Sequence, residues 1–188
     1  MYDRLEDYIK VFENAVSDDL CARVLAEYAD SQEWIATQVG DADVVNKNVR
    51  SATVISLSAN IIMSANPEVR YGLDKELFQC AADVIGRYKE IHPLAEIQED
   101  SGYELLRYKE GQFYTQHTDS FKFQPRAVSC SFALNDDYEG GEWGFWNRSQ
   151  TLKAPKGAAV LFPSNFMYPH EIMPVTKGVR YSIVTWFI

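Results

Sequence analysis

Cysteine is scarce in this chain of 188 residues: Cys21, Cys80 and Cys130 stand far apart, with no C-x-x-C pair among them. That spacing implies neither a disulfide framework nor a thiolate metal site, and leaves reduced, buried thiols as the expectation. Positive charge is also short. Lys and Arg number 18 against 27 Asp and Glu, the formal net charge is -9, and the basic residues never form a run. A field of that sign repels a phosphate backbone, so no nucleic-acid partner is expected. No apolar run reaches the roughly 20 residues that a membrane helix requires. Asp3, Arg4, Glu6 and Asp7 interrupt the opening segment, which excludes the apolar region of a secretory leader there. The expectation is a soluble cytoplasmic protein with no membrane partner; its oligomeric state is not legible.

Apolar residues make up 46% of the chain and aromatic residues 13%, enough for one sizeable core. A single domain over residues 1–188 is expected, with helical support over about 1–100 and a β-rich core over about 101–188. Asp18 to Ala29 reads as a helix, because Leu20, Val24 and Tyr28 recur at helical spacing and Ser17 can cap it. A second helix is expected from Asp74 to Ile91, with Leu77, Ala81, Val84, Ile85 and Tyr88 as its stripe and His92-Pro93 as its stop. Gln38 to Pro67 reads as loop, with a strand over Val49 to Leu57. From Tyr103 onward, short β-type segments alternate with turns: Tyr103 to Tyr108, Ala127 to Leu134, Glu142 to Trp146, Ala158 to Phe162 and Tyr181 to Phe187. This order predicts an α+β fold, a double-stranded β-helix or jelly roll with the N-terminal helices packed against its major sheet.

The chain has three histidines, and two fall in the β-rich half. His117 and Asp119 are two residues apart, so on a strand they share a face. His170 can complete the set from a later strand. Two histidines and one carboxylate on one face leave open positions on a metal, as in non-haem Fe(II) oxygenases, although a zinc hydrolase can use the same donors. Arg180 follows His170 at a distance that lets the next strand run back beside it, and it points where Ser182 points. Its planar fork suits a carboxylate.

The region from Tyr103 to Phe187 resembles the prolyl 4-hydroxylase branch of the 2-oxoglutarate/Fe(II) oxygenases. The resemblance rests on an ordered series: Leu106-Arg107-Tyr108, Gly111-Gln112-Phe113-Tyr114, His117-x-Asp119, Arg126, Phe132 to Asp136, Gly140-Gly141-Glu142, Pro155-x-Gly157, Leu161-Phe162, His170-Glu171, Val175-Thr176-x-Gly178-x-Arg180-Tyr181-Ser182 and Trp186-Phe187. It implies that His117, Asp119 and His170 bind Fe(II). Arg180, with Tyr108 and Ser182, would hold 2-oxoglutarate, O2 would be the oxidant and ascorbate the reductant. It also implies that Tyr114, Arg126 and Trp186, with Arg50 and Trp143, border the substrate, which would be a proline-containing peptide or protein.

Two positions depart from the branch pattern. Trp143 stands where a small hydroxyl residue is usual near the co-substrate, and Arg180 where collagen-type relatives tend to carry lysine. An aromatic groove of Tyr114, Trp143 and Trp146 would suit a polyproline-like chain. The alternatives are an oxygenase of the same class acting on a free amino acid or other small molecule, a nucleic-acid demethylating oxygenase, which the charge disfavours, and a non-catalytic metal-binding jelly roll.

Overall fold

A computed structural model describes residues 4–39, 44–59 and 61–188. Its strands are β1 (Lys10–Phe12), β2 (Ile35–Ala36), β3 (Thr53–Ser56), β4 (Glu104–Tyr108), β5 (Tyr114–His117), β6 (Val128–Ala133), β7 (Glu139–Gly140), β8 (Trp143–Phe145), β9 (Gln150–Leu152), β10 (Ala159–Pro163), β11 (His170–Ile172), β12 (Val175–Lys177) and β13 (Arg180–Phe187). The major sheet runs β1-β10-β6-β13-β4-β3-β2, the minor sheet β5-β11-β8-β9, and β12 pairs with β7 as a short ribbon. Helices α1 (Asp18–Tyr28) and α2 (Pro67–Ile91) cover the outside of the major sheet. This is the expected jelly roll with external helices.

The period of two in the strands divides the interior into two cores. On β13, Ile183 and Phe187 join the outer core with Leu20, Val24, Leu77 and Tyr88 of the helices. Val184 faces inward and joins the second core with Phe145 and Phe162, Trp186 packs against that core, and Arg180 and Ser182 line the cavity between the sheets. Strand β6 is buried at every position, because its Cys130 and Phe132 meet the helices while Ser129 and Ser131 face the cavity.

Ser17 caps α1 as expected, its hydroxyl accepting from the Leu20 amide at 3.1 Å. Helix α2 begins at Pro67, seven residues before the Asp74 of the sequence reading, with proline in its first turn. The earlier turns escaped because their inward residue is Arg70, buried and paired with Glu33 while also donating to the Tyr28 hydroxyl at 3.3 Å. A polar residue in the buried stripe breaks the apolar period. The Val49 to Leu57 strand shrinks to β3, and Cys80, expected to be buried, is only partly covered. The Gln38 to Tyr71 stretch includes residues 40–43 and 60, which lie outside the described residues.

Candidate active site

His117 ends β5 and His170 begins β11, and the two strands pair with these residues directly opposite each other. Asp119 is not on the strand. It lies two residues beyond the end of β5, in a turn fixed by the Asp119 and Ser120 amides, which donate to the Ser164 carbonyl at 3.1 and 3.0 Å. The three side chains still converge. His117 Nε2 is 3.4 Å from Asp119 Oδ1 and His170 Nε2 is 3.6 Å from Asp119 Oδ2.

Hydrogen bonds behind the donors set their chemistry. His117 Nδ1 lies 2.8 Å from the Thr115 carbonyl and His170 Nδ1 lies 3.0 Å from the Tyr168 carbonyl. A carbonyl can only accept, so each Nδ1 carries a proton, which leaves each Nε2 facing Asp119 as the atom free to give up any second proton and bind a metal. Burial opposes charge on Asp119, yet the neighbouring His170 and His117 and the Ser129 hydroxyl hold its carboxyl well below the usual carboxylate range. His170 is pushed down to about 4, by burial first and then by His117. With both Nε2 atoms deprotonated, two imidazole lone pairs and a carboxylate facing one another in a buried pocket repel unless a cation lies among them. All three donor atoms fall within 4.8 Å of one another. The set fits a divalent metal with positions left open.

These residues open into a cavity of about 500 Å³ between the two sheets, lined also by Arg50, Tyr108, Tyr114, Arg126, Trp143, Arg180, Ser182 and Trp186. Every site residue expected from the sequence therefore borders one space. Arg180, however, does not run back beside His170. The chain passes through β12 and crosses to the major sheet, so Arg180 faces the histidines from the opposite wall. It is 4% exposed, lies across from Tyr108 in the β13–β4 ladder, and donates to the Ser182 hydroxyl at 3.0 Å as its one hydrogen bond among the described residues. No carboxylate of the described residues pairs with it. A buried guanidinium left in that condition fits the carboxylate of an organic acid.

Trp143 occupies the wall between these two groups, its ring 5.4 Å from the His170 ring and 5.6 Å from the Arg180 guanidinium carbon. Trp146 is not part of the cavity. Its backbone turns at φ 48°, and the indole packs against Tyr168 and donates to the Met167 carbonyl at 2.8 Å. The expected aromatic groove thus loses one member. Two glycines in the left-handed region stand nearby: a Cβ on Gly141 would crowd the Arg180 Cδ at 3.1 Å, and one on Gly140 would clash with the Pro174 carbonyl oxygen at 2.3 Å.

Sequence reasoning missed Ser129, which donates to Asp119 Oδ2 at 2.6 Å, and Ser164, whose hydroxyl is 2.8 Å from that of Ser129. Glu104 and Phe121 of the cavity lining were missed as well. A polar residue at an inward position of an otherwise apolar central strand was the available signal for Ser129.

Residues 103–188 match the family described as the 2OG-Fe(II) oxygenase superfamily. This segment belongs to that superfamily. The oxygenase family implies Fe(II) and 2-oxoglutarate, and the His117, Asp119, His170 cluster and the buried Arg180 suit them in turn. A PKHD-type hydroxylase of Synechococcus sp. is 35% identical over 120 residues, covering 58% of this chain and 47% of the relative. The chain thus spans about half the length of that relative. The mouse procollagen-lysine,2-oxoglutarate 5-dioxygenase 1 is 36% identical over 88 residues, 44% of this chain and 11% of its own. Among solved structures, a Trichoplax adhaerens prolyl hydroxylase in complex with a hypoxia inducible factor peptide fragment aligns with TM-score 0.78 at 19% identity, over 96% of this chain and 83% of that one. A Pseudomonas putida prolyl-4-hydroxylase aligns with TM-score 0.69 at 20% identity, over 96% and 92%. These similarities establish the oxygenase fold. No helix among the described residues is long and apolar enough to cross a membrane.

Proposed function

We propose that this oxygenase hydroxylates a prolyl residue in a peptide or protein, with Fe(II), 2-oxoglutarate and O2, and with ascorbate as reductant. The observation that carries the reading is Arg180: a buried cation with no carboxylate partner among the described residues, at the wall of the cavity into which His117, Asp119 and His170 present their donors. His117, Asp119 and His170 would hold the iron, and Arg180 with Tyr108 and Ser182 the far carboxylate of 2-oxoglutarate. When bound, iron, 2-oxoglutarate and O2 supply the oxidising equivalents for inserting oxygen into a C–H bond, with succinate and carbon dioxide as the other products.

The chain's own share is positional. The Thr115 and Tyr168 carbonyls hold both imidazoles in the metal-binding tautomer, and Ser129 fixes the carboxylate. Trp143, Phe145 and Phe162 surround His170 with rings and keep bulk water from the reacting centre. On the open side Tyr114 stacks on His117, with ring centroids 3.5 Å apart, and Arg126 packs on Trp186. These flat surfaces suit a proline ring and the chain on either side of it. The Trichoplax prolyl hydroxylase of similar fold, solved in complex with a peptide fragment, supports a peptide substrate.

The test is mass spectrometry of proline-containing peptides after incubation with the protein, Fe(II), ascorbate and 2-oxoglutarate. The reading predicts a gain of one oxygen atom localised to proline. Oxygen on lysine, or on a free amino acid only, would replace it.

A further inference from the structure

The cavity carries more positive charge than the site already described requires. Among the described residues, three arginines, Arg50, Arg126 and Arg180, line it against two carboxylates, Glu104 and Asp119. Under the proposed function, Fe(II) and the 2-oxoglutarate dianion cancel each other, so the excess of one positive charge persists in the loaded site. This occurs in a chain whose overall charge is -9.

The excess is concentrated on two guanidinium groups beside the metal donors. Arg50 lies over the Tyr114 ring at 4.6 Å, and Tyr114 in turn stacks on His117. Arg126 donates to the Asp119 carbonyl at 3.1 Å and lies over Trp186 at 3.7 Å. Neither forms an ion pair among the described residues, and the Nε of each is buried with no hydrogen-bond partner. Burial lowers the pKa of Arg126, so its charge is held at a cost that an incoming anion would relieve. Aromatic faces supply planar support for both groups, and the carboxylate charge that reaches them, from Glu104 on both and from Asp119 on Arg126, acts without an ion pair.

We propose that the substrate presents a carboxylate to Arg50 and Arg126, close to the residue that is oxidised. The inference rests on the hydroxylase reading above and narrows its substrate class. Because one stacked ring separates Arg50 from His117, the carboxylate belongs to the oxidised residue or to an immediate neighbour. Two sources share this chemistry: an Asp or Glu side chain next to proline, or the free carboxylate of a terminal or single proline. A cationic lysyl side chain is disfavoured by the same charge.

The experiment measures binding to the protein loaded with Fe(II) and 2-oxoglutarate under strict exclusion of oxygen. The probes are peptides with Glu, Gln or Lys beside one proline, a peptide ending in proline as free acid or as amide, and N-acetylproline. The expected result is at least roughly tenfold tighter binding of the Glu peptide over the Gln peptide, or of the free acid over the amide, according to source. Arg50→Gln should collapse that preference, and Arg50→Glu should turn it toward the Lys peptide. Equal binding of Glu, Gln and Lys peptides, and of acid and amide, would overturn the inference and leave the peptide reading standing. Binding of N-acetylproline alone, lost in Arg50→Gln, would uphold the carboxylate and overturn the peptide. If nothing binds, both fall.

Discussion

The Ser129 hydroxyl donates to Asp119 Oδ2 at 2.6 Å, tying the floor of the major sheet to the one carboxylate of the metal cluster. Asp119 stands past the end of β5, so the turn alone would leave its rotamer loose. Ser129→Ala should keep the fold and weaken divalent metal binding roughly 10- to 100-fold. Titration with Fe(II) or Mn(II), followed by calorimetry, measures it. An unchanged affinity would remove Ser129 from the account.

On the proposed function, Arg180 serves its ligand and not stability. Replacing a buried unpaired cation with an apolar side chain of similar length should not destabilise the protein. Arg180→Met is therefore expected to show a thermal midpoint at or above the parent's. Its 2-oxoglutarate affinity should fall at least roughly 100-fold, which is what losing a charged, hydrogen-bonded partner costs. A large drop in midpoint with retained affinity would reverse the assignment.

Acid should destabilise the metal-free protein. The unfolded chain protonates His170 near 6.5, whereas the folded chain resists until about 4. Stability from this group is thus complete above pH 6.5 and is lost as pH falls toward 4, amounting to about 3 kcal/mol. Asp119, also depressed, acts in the same direction at lower pH. Urea midpoints across this range should decline in the parent and flatten in His170→Gln. Parallel curves would contradict the claim.

Much of the core was legible because β4, β6, β10 and β13 carry enough apolar residues to announce themselves. The metal cluster was legible from histidine scarcity and from the ordered motifs around it. Other features were not. Tyr114–His117 has no buried residue and no apolar alternation, so β5 was invisible even though it carries a donor. The spacing from His170 to Arg180 suggested neighbouring strands, but β12 lies between them and carries the chain to the other sheet. The left-handed turn at Trp146 follows from contacts with Tyr168 and Met167, which are distant in sequence.

Gly140 and Gly141 can be tested by stability alone. Gly140 has φ 72°, and a Cβ there would meet the Pro174 carbonyl oxygen at 2.3 Å. Gly140→Ala should cost about 3 kcal/mol, from backbone strain together with the clash. Chemical denaturation gives the number, and a loss near zero would mean that the β7–β12 ribbon shifts freely.

The most direct measurement of the central claim is succinate formation from 2-oxoglutarate by the purified chain with Fe(II), ascorbate and air. His117→Ala and Arg180→Met run alongside as controls. The account predicts succinate from the parent and none above background from either variant. Absence of succinate from parent protein that demonstrably binds iron and 2-oxoglutarate would contradict it.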